Sequence, residues 1–309
     1  MNRPINQAMT PLQWAALLLL SVVWGGSFIF NAVAVKEIPP ITMVVVRLLL
    51  GAALLWLFAA ATGVKMPKDA RTWGTFAVMG AFNNAVPFAL FAWSQTHITA
   101  GLASILNATQ PLFTVVLAHA LTRDEKITGG KLLGAVVGLL GVAAMMGADA
   151  LSGASANVIA ELACLVATVM YAYTAVFARR FAGLGIAPLA VAVGQLTTGG
   201  LLALPVALIV DQPWALPIPS LAALGAMAGQ ALLSTALAYV VFFDLIAKAG
   251  STNAGLVTFL NPITAIAVGA LLLDERLEAG HIAGMVVIAL GLTFIDGRLP
   301  AALRRVTSR

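Results

Sequence analysis

Apolar runs of about 20 residues follow one another along the chain, separated by short polar breaks. They fall near 13–35, 40–62, 72–94, 98–121, 128–147, 157–179, 186–210, 219–246, 251–273 and 279–297. At 1.5 Å rise per residue, about 20 helical residues cross the roughly 30 Å hydrocarbon layer of a bilayer. The pattern therefore predicts ten membrane-spanning helices. The breaks carry helix-ending and turn residues, as in KEIPP, GVKMPKDAR, TRDEK, DQPWALPIP and KAGS. The first run, from Trp14 to Val35, is about 22 residues long and exceeds the 7–15-residue core of a signal peptide. It reads as a retained first span.

Composition agrees with this pattern. The chain is 61% hydrophobic and 9% charged, against about 45–50% and about 25% in soluble domains. So few charges cannot solvate a soluble fold of 309 residues, and the excess apolar surface is expected to face lipid. The net charge of +5 forms no basic stripe, so no nucleic-acid partner is expected. The single cysteine, Cys164, lies within an apolar run and reads as a buried free thiol.

Lys and Arg orient the spans, because cytoplasmic loops are enriched in them. With the N-terminus inside, fourteen fall on the cytoplasmic side and two, Lys36 and Arg276, outside. Arg47 lies within the second span. Both termini are therefore expected in the cytoplasm.

The chain also repeats itself. LTRDEKITGGKLLG (residues 121–134) and LLLDERLEAGHIAG (residues 271–284) are similar corners, with Glu125 and Glu275 150 positions apart. Pro111 matches Pro262 at 151, Pro40 matches Pro188 and Arg47 matches Gln195 at 148, and Trp24 matches Tyr171 at 147. Five spans separate the two copies. Because five is odd, equivalent corners face opposite sides of the membrane. The expected fold is an all-α integral membrane protein of ten helices in two inverted five-helix repeats, residues 1–150 and 151–309. Such halves can exchange conformations and expose a midplane site to either side in turn.

WGGSFIFNAVAVKEIPPITMVVVRLLLGAALL, with the paired PLFT…DEK…GG…LLG and PIT…DER…G…AG segments, resembles the drug/metabolite transporter superfamily, and within it the EamA-type ten-span exporters. The resemblance covers nearly the whole chain. It implies a multi-pass transporter of a bacterial inner (plasma) membrane that exports amino acids, other metabolites or drugs. It also implies that residues just before the fourth- and ninth-span prolines lie near a central cavity, which selects Gln110 and Asn261.

The candidate site residues follow from position and chemistry. Arg47 is the base deepest in a span. An intramembrane charge faces the bundle interior or water, so Arg47 either meets a substrate carboxylate or bonds backbone carbonyls structurally. Asn83 and Asn84 precede Pro87, whose missing N–H frees the Asn83 carbonyl, and one or both are expected at the cavity wall. Asn107, Thr109 and Gln110 precede Pro111, and Asn261 precedes Pro262. Interrupted spans at matching positions point to a transport site. Tyr171 is expected to surround the cargo, with Trp24 and Tyr239 as gate aromatics. Gly130, Gly134 and Gly138, and likewise Gly280 and Gly284, are spaced for helix packing. Glu161, Asp244 and Asp296 are read near span ends, within reach of water, as are His97, His119 and His281.

Enzyme classes find little purchase. His-Glu-x-x-His and Gly-x-Ser-x-Gly are lacking, and Asp244 and Asp296 do not form a midspan pair. No cofactor or metal is expected. The partners expected are a small-molecule substrate and the lipid bilayer, with the monomer as the functional unit. A cavity of amides, aromatics and one Arg suits a small zwitterion with an apolar side chain, and export of neutral or aromatic amino acids is the first reading. Multidrug or other metabolite export, or proton-coupled antiport on the same fold, are the alternatives. Without a midspan carboxylate, transport without obligatory proton exchange is expected.

Overall fold

A computed structural model describes residues 9–123, 125–146 and 156–296. The boundary between the expected repeats, together with Asp124, Arg3, Arg298, Arg304, Arg305 and Arg309, lies outside these residues. Within them the chain is all helical. Eight helices are long and apolar enough to cross a membrane: α1 (Pro11–Ala34), α2 (Pro40–Ala61), α3 (Ala70–Ser94), α4 (Ala100–Leu121), α5 (Gly129–Met146), α6 (Ala156–Phe181), α7 (Pro188–Val210) and α8 (Leu221–Ala249). Two shorter apolar helices follow, α9 (Val257–Leu272) and α10 (Ala279–Asp296). A four-residue turn of helix, Ser251–Ala254, precedes α9.

Local chemistry sets the helix starts. Thr10 and Gln13 form a reciprocal capping box before α1. The side chains of Asp69, Thr99 and Ser220 accept first-turn amides of α3, α4 and α8. Pro40 and Pro188 stand at first helical positions, where the missing N–H costs nothing.

Several spans are interrupted. A π-helical turn, Gly80–Ala85, sits in α3, and another, Leu232–Leu237, sits in α8. In each turn one polar side chain reaches a carbonyl five residues back: Asn84 Nδ2 donates to Met79 O at 3.5 Å, and Thr235 Oγ1 to Gln230 O at 2.9 Å. The third interruption, in α4, falls at Ala108–Thr109, just before Pro111. The ninth span departs from expectation. Its break lies at Gly255–Leu256, while Pro262 sits inside continuous α9. A proline lacks one donor but does not by itself decide where neighbouring helices let the chain open.

The helices pair in a regular scheme. α5 packs on α10 and α2 on α7; α1 packs on α8 and α9, as α6 packs on α3 and α4. Exchanging α1–α5 with α6–α10 maps each pairing onto another or onto itself. Small residues permit the closest approaches. A Cβ on Gly134 would lie 2.4 Å from Gly291 O, and one on Gly284 2.7 Å from Gly141 O. These contacts join α5 to α10. Gly138 instead receives Leu112 of α4, and Gly280 faces open space. The α5–α10 seam thus uses Gly141 and Gly291 in addition to the glycines read from spacing.

At the end of the bundle carrying the α1–α2 turn, carboxylates tie distant elements together. Glu37 accepts the Ser220 amide at 2.7 Å and its hydroxyl at 2.6 Å. These bonds, the hydroxyl's first, hold the Glu37 carboxyl below its ordinary pKa. Asp211 accepts the Thr42 amide and hydroxyl at 2.7 and 2.8 Å. Glu275 spans the first two amides of α4, Ala100 and Gly101, at 2.8 and 3.1 Å. At the opposite end Glu125, the sequence counterpart of Glu275, meets Arg179 at 3.4 Å with both side chains about half exposed.

Candidate functional site: a cavity where seven helices converge

Where α1, α2, α3, α4, α6, α8 and α9 converge, a cavity of about 350 Å³ forms, within the roughly 300–1,000 Å³ range of small-molecule sites. Arg47, Asn83, Gln110, Tyr171, Asn261, Trp24 and Tyr239 all line it. Asn84 does not. It is 0% exposed and lies behind the wall, where its Nδ2 donates to Gln195 Oε1 at 3.2 Å and its Oδ1 accepts from the Tyr239 hydroxyl at 3.3 Å.

Arg47 sits in α2 at 8% exposure. Its Nε donates to Thr235 Oγ1 at 3.0 Å, and the guanidinium carbon lies 3.8 Å from the Phe88 ring centroid. Among the described residues, no carboxylate lies within ion-pair distance of Arg47. An Arg carries five N–H donors, and the Thr235 bond uses one. A buried cation without a counter-ion is costly to fold around.

Opposite α2, the equivalent position on α7 is occupied by Gln195. Asn83 Nδ2 donates to Gln195 Oε1 at 3.0 Å, and Asn83 Oδ1 accepts from Thr174 of α6 at 2.8 Å. The two asparagines therefore divide roles: Asn83 faces the cavity with its amide anchored at both ends, while Asn84 braces the wall. Asn84→Leu leaves the buried Tyr239 hydroxyl proton without its acceptor, while Gln195 Oε1 keeps its bond from Asn83. The expected result is a loss of about 1–3 kcal/mol of stability, read as a lower thermal midpoint in detergent, accompanying any transport defect.

The aromatics pair across helices in matched fashion. Trp24 packs on Phe242 of α8 at 5.1 Å between centroids, and Tyr171 stacks on Phe91 of α3 at 6.0 Å. Phe91 and Phe242 are themselves 151 positions apart, the offset of the two prolines. Beyond Trp24, α1 is bound to α8 by Gln230, which donates to Ser27 O at 3.1 Å and also to Asn31 Oδ1. Gln95 donates to Phe28 O at 2.7 Å. These bonds lie toward the Glu37–Ser220 end.

Ser27, Asn31, Phe88, Phe91, Ser234, Phe242 and Thr258 also line the cavity and were not selected from sequence. Single serines, threonines and phenylalanines in apolar spans carry no mark of their own, although the repeat offset picks out the Phe91–Phe242 pair; Asn31, an amide within α1, carries the same signal as the selected asparagines.

One expectation is overturned. Glu161 is 6% exposed within α6, rather than open to water near a span end. α6 packs against α3 and α4, and next to Glu161 the Ser94 hydroxyl of α3 donates to Ala160 O at 2.8 Å, so this stretch is covered. Glu161 is absent from the cavity lining. Asp244, by contrast, is half exposed and pairs with Lys248 at 2.7 Å. A second cavity, about 490 Å³ and lying between α4, α9 and α10, offers one polar side chain, Thr293. It cannot orient a polar cargo.

Ten apolar helices around a central cavity lined by amides, aromatic rings and one arginine define a multi-pass membrane protein of the transporter class. The chain belongs to the EamA-like transporter family, whose model matches it twice, over residues 12–147 and 158–296. It is 24% identical over 281 residues to "Uncharacterized transporter YoaV" of Bacillus subtilis (strain 168), covering 89% of this chain and 94% of that protein. It is 26% identical to "Uncharacterized inner membrane transporter YedA" of Escherichia coli (strain K12), with 86% and 84% covered. It is 28% identical to the "Probable amino-acid metabolite efflux pump" of the same organism, with 89% and 91% covered. A solved crystal structure superposes with a TM-score of 0.64 at 18% identity, covering 92% of this chain and 95% of the other. That likeness concerns the fold alone. Family membership implies small-molecule cargo and embedding in a membrane.

Proposed function

We propose that the protein exports small metabolites carrying a carboxylate, with neutral and aromatic amino acids first among them, across a bacterial inner membrane. The observation that carries this reading is Arg47: buried, without a counter-ion among the described residues, and on the wall of a cavity otherwise built of amides and aromatic rings. A carboxylate would neutralise it bidentately, while Trp24, Phe91, Tyr171 and Phe242 offer faces to an apolar side chain. The similarity to a protein named as a probable amino-acid metabolite efflux pump favours the same cargo class.

Alternating access between two inverted five-helix halves is the accompanying mechanism. The twofold family match, the exchanged helix pairings and the matched π-turns support it. With both termini cytoplasmic, the carboxylate ties at Glu37, Asp211 and Glu275 close the outer end, and the cavity in this conformation faces the cytoplasm.

Counterflow of radiolabelled amino acids in proteoliposomes tests the cargo. Saturable uptake by wild-type protein that is lost in Arg47→Gln is expected; equal uptake by both sinks the reading. Cysteines at Gly63 and Trp214 test the orientation. An impermeant thiol reagent added outside cells is expected to label the Trp214 position and spare Gly63, and the reverse pattern overturns the orientation.

Glu161 favours a second reading, proton-coupled antiport, because a buried carboxylate is a group that can carry a proton within a bundle. Its signature is substrate accumulation above equilibrium driven by an imposed pH gradient and abolished in Glu161→Gln.

A further inference from the structure

We infer that Thr235, presented by the π-turn of α8, is the positioning residue that aims Arg47, so that the cavity selects cargo by its carboxylate; this rests on the reading of Arg47 as the carboxylate contact. Three observations converge on it.

The first is the bond itself. Arg47 Nε donates to Thr235 Oγ1 at 3.0 Å, while Thr235 Oγ1 donates its own proton to Gln230 O at 2.9 Å. The hydroxyl is thereby committed as an acceptor toward Arg47, because its hydrogen is already used. The i→i+5 spacing of the π-turn matches this reach of five residues, and the bond to Gln230 O fixes the hydroxyl's direction.

The second is the clearance. Gly51 lies one helical turn beyond Arg47 on α2. A Cβ there would come within 2.7 Å of Thr235 Cγ2. The glycine lets α2 approach the π-turn closely enough for Nε to reach the hydroxyl.

The third is the counterpart. On α7, Gln195 and Gly199 hold the positions equivalent to Arg47 and Gly51, each 148 residues on. They face the other π-turn, where Asn83 and Asn84 donate to Gln195 Oε1 and a Cβ on Gly199 would lie 2.7 Å from Gly80 O. One construction occurs twice: a polar side chain, a glycine one turn on, and a crossing π-turn with a polar anchor. Its α7 copy is neutral and satisfied. Its α2 copy ends in a cation whose remaining guanidinium donors have no carboxylate partner among the described residues.

With Nε held by Thr235 and one face covered by Phe88, the two terminal nitrogens form the free edge of the guanidinium. That edge matches the two oxygens of one carboxylate. A carboxamide offers a single acceptor oxygen and no charge.

The test uses purified full-length protein, with L-phenylalanine and L-phenylalaninamide as probes, read by thermal stabilisation in detergent and by competition in counterflow. Wild type is expected to prefer the carboxylate. Thr235→Val keeps the bulk but removes the acceptor, and should weaken L-phenylalanine about 2- to 12-fold, the range for the typical net contribution of one hydrogen bond, while leaving the amide unchanged. Thr235→Ser keeps the hydroxyl and should restore the preference. Should the valine variant fail to assemble, Thr235→Ala removes the same oxygen and carries the same expectation. Equal weakening of both probes, or failure of serine to restore the preference, assigns Thr235 to packing and overturns the inference. If Arg47→Gln abolishes the preference and Thr235→Val does not, the carboxylate reading stands and the positioning role falls. If wild type shows no preference, or binds neither probe, both fall.

Discussion

Replacing Arg47 with Met is expected to abolish most carboxylate transport without lowering the protein's thermal stability. Hydrogen bonds to charged groups contribute about 1.5–3 kcal/mol, so loss of a paired carboxylate weakens binding roughly 10- to 100-fold. Stability should respond differently, because Arg47 is buried with no carboxylate within reach among the described residues. Exchanging a buried, poorly compensated charge for an apolar side chain of similar length is often neutral or stabilising. The partner is not stranded either, since Thr235 Oγ1 keeps its bond to Gln230 O. Cargo affinity from counterflow and the thermal midpoint of the empty protein separate the two accounts. A midpoint that falls in step with transport would show Arg47 to be a structural strut.

The second large effect is expected at Gly80. A Cβ there would meet Gly199 N at 2.5 Å, Thr198 Oγ1 at 2.6 Å and Gln195 O at 2.7 Å. Two of these are backbone atoms of a neighbouring helix and cannot swing aside. Overpacking usually costs about 1–3 kcal/mol, more where backbones must part, so Gly80→Ala should lose at least about 3 kcal/mol. It should also displace Asn83 and Asn84 from Gln195, because the same crossing seats that network. Gly74, six residues earlier on α3, is the control. A Cβ there has nothing within 4 Å, and alanine in a helix exceeds glycine by about 1 kcal/mol. The same substitution should therefore have opposite signs at the two sites. Thermal melts of both variants check this, and a Gly80→Ala midpoint at or above wild type would refute it.

The sequence by itself determined the helices. Their starts fall within two residues of the apolar runs for nine of the ten spans, because hydrophobic length and capping are local properties. It also determined the family and gathered Arg47, Gln110, Tyr171, Asn261 and Trp24 as a candidate site, since an amide or charge in an apolar span stands out against its background. Tertiary structure decided what those residues do to one another. The π-turns are invisible in the sequence because they depend on how α2 and α7 cross α3 and α8, not on propensity within six residues. The division between Asn83 and Asn84 follows from such a crossing: both donate to Gln195, but Asn83 lines the cavity while Asn84 is buried behind it against Tyr239. Glu161 reads as a span-end residue in the chain and is buried in the fold, because burial is set by the neighbours that α3 and α4 supply. Thr235 gave no sign at all. A threonine in an apolar span is ordinary until a glycine on another helix brings a guanidinium to within 3.0 Å of it, and that proximity is a property of two helices together.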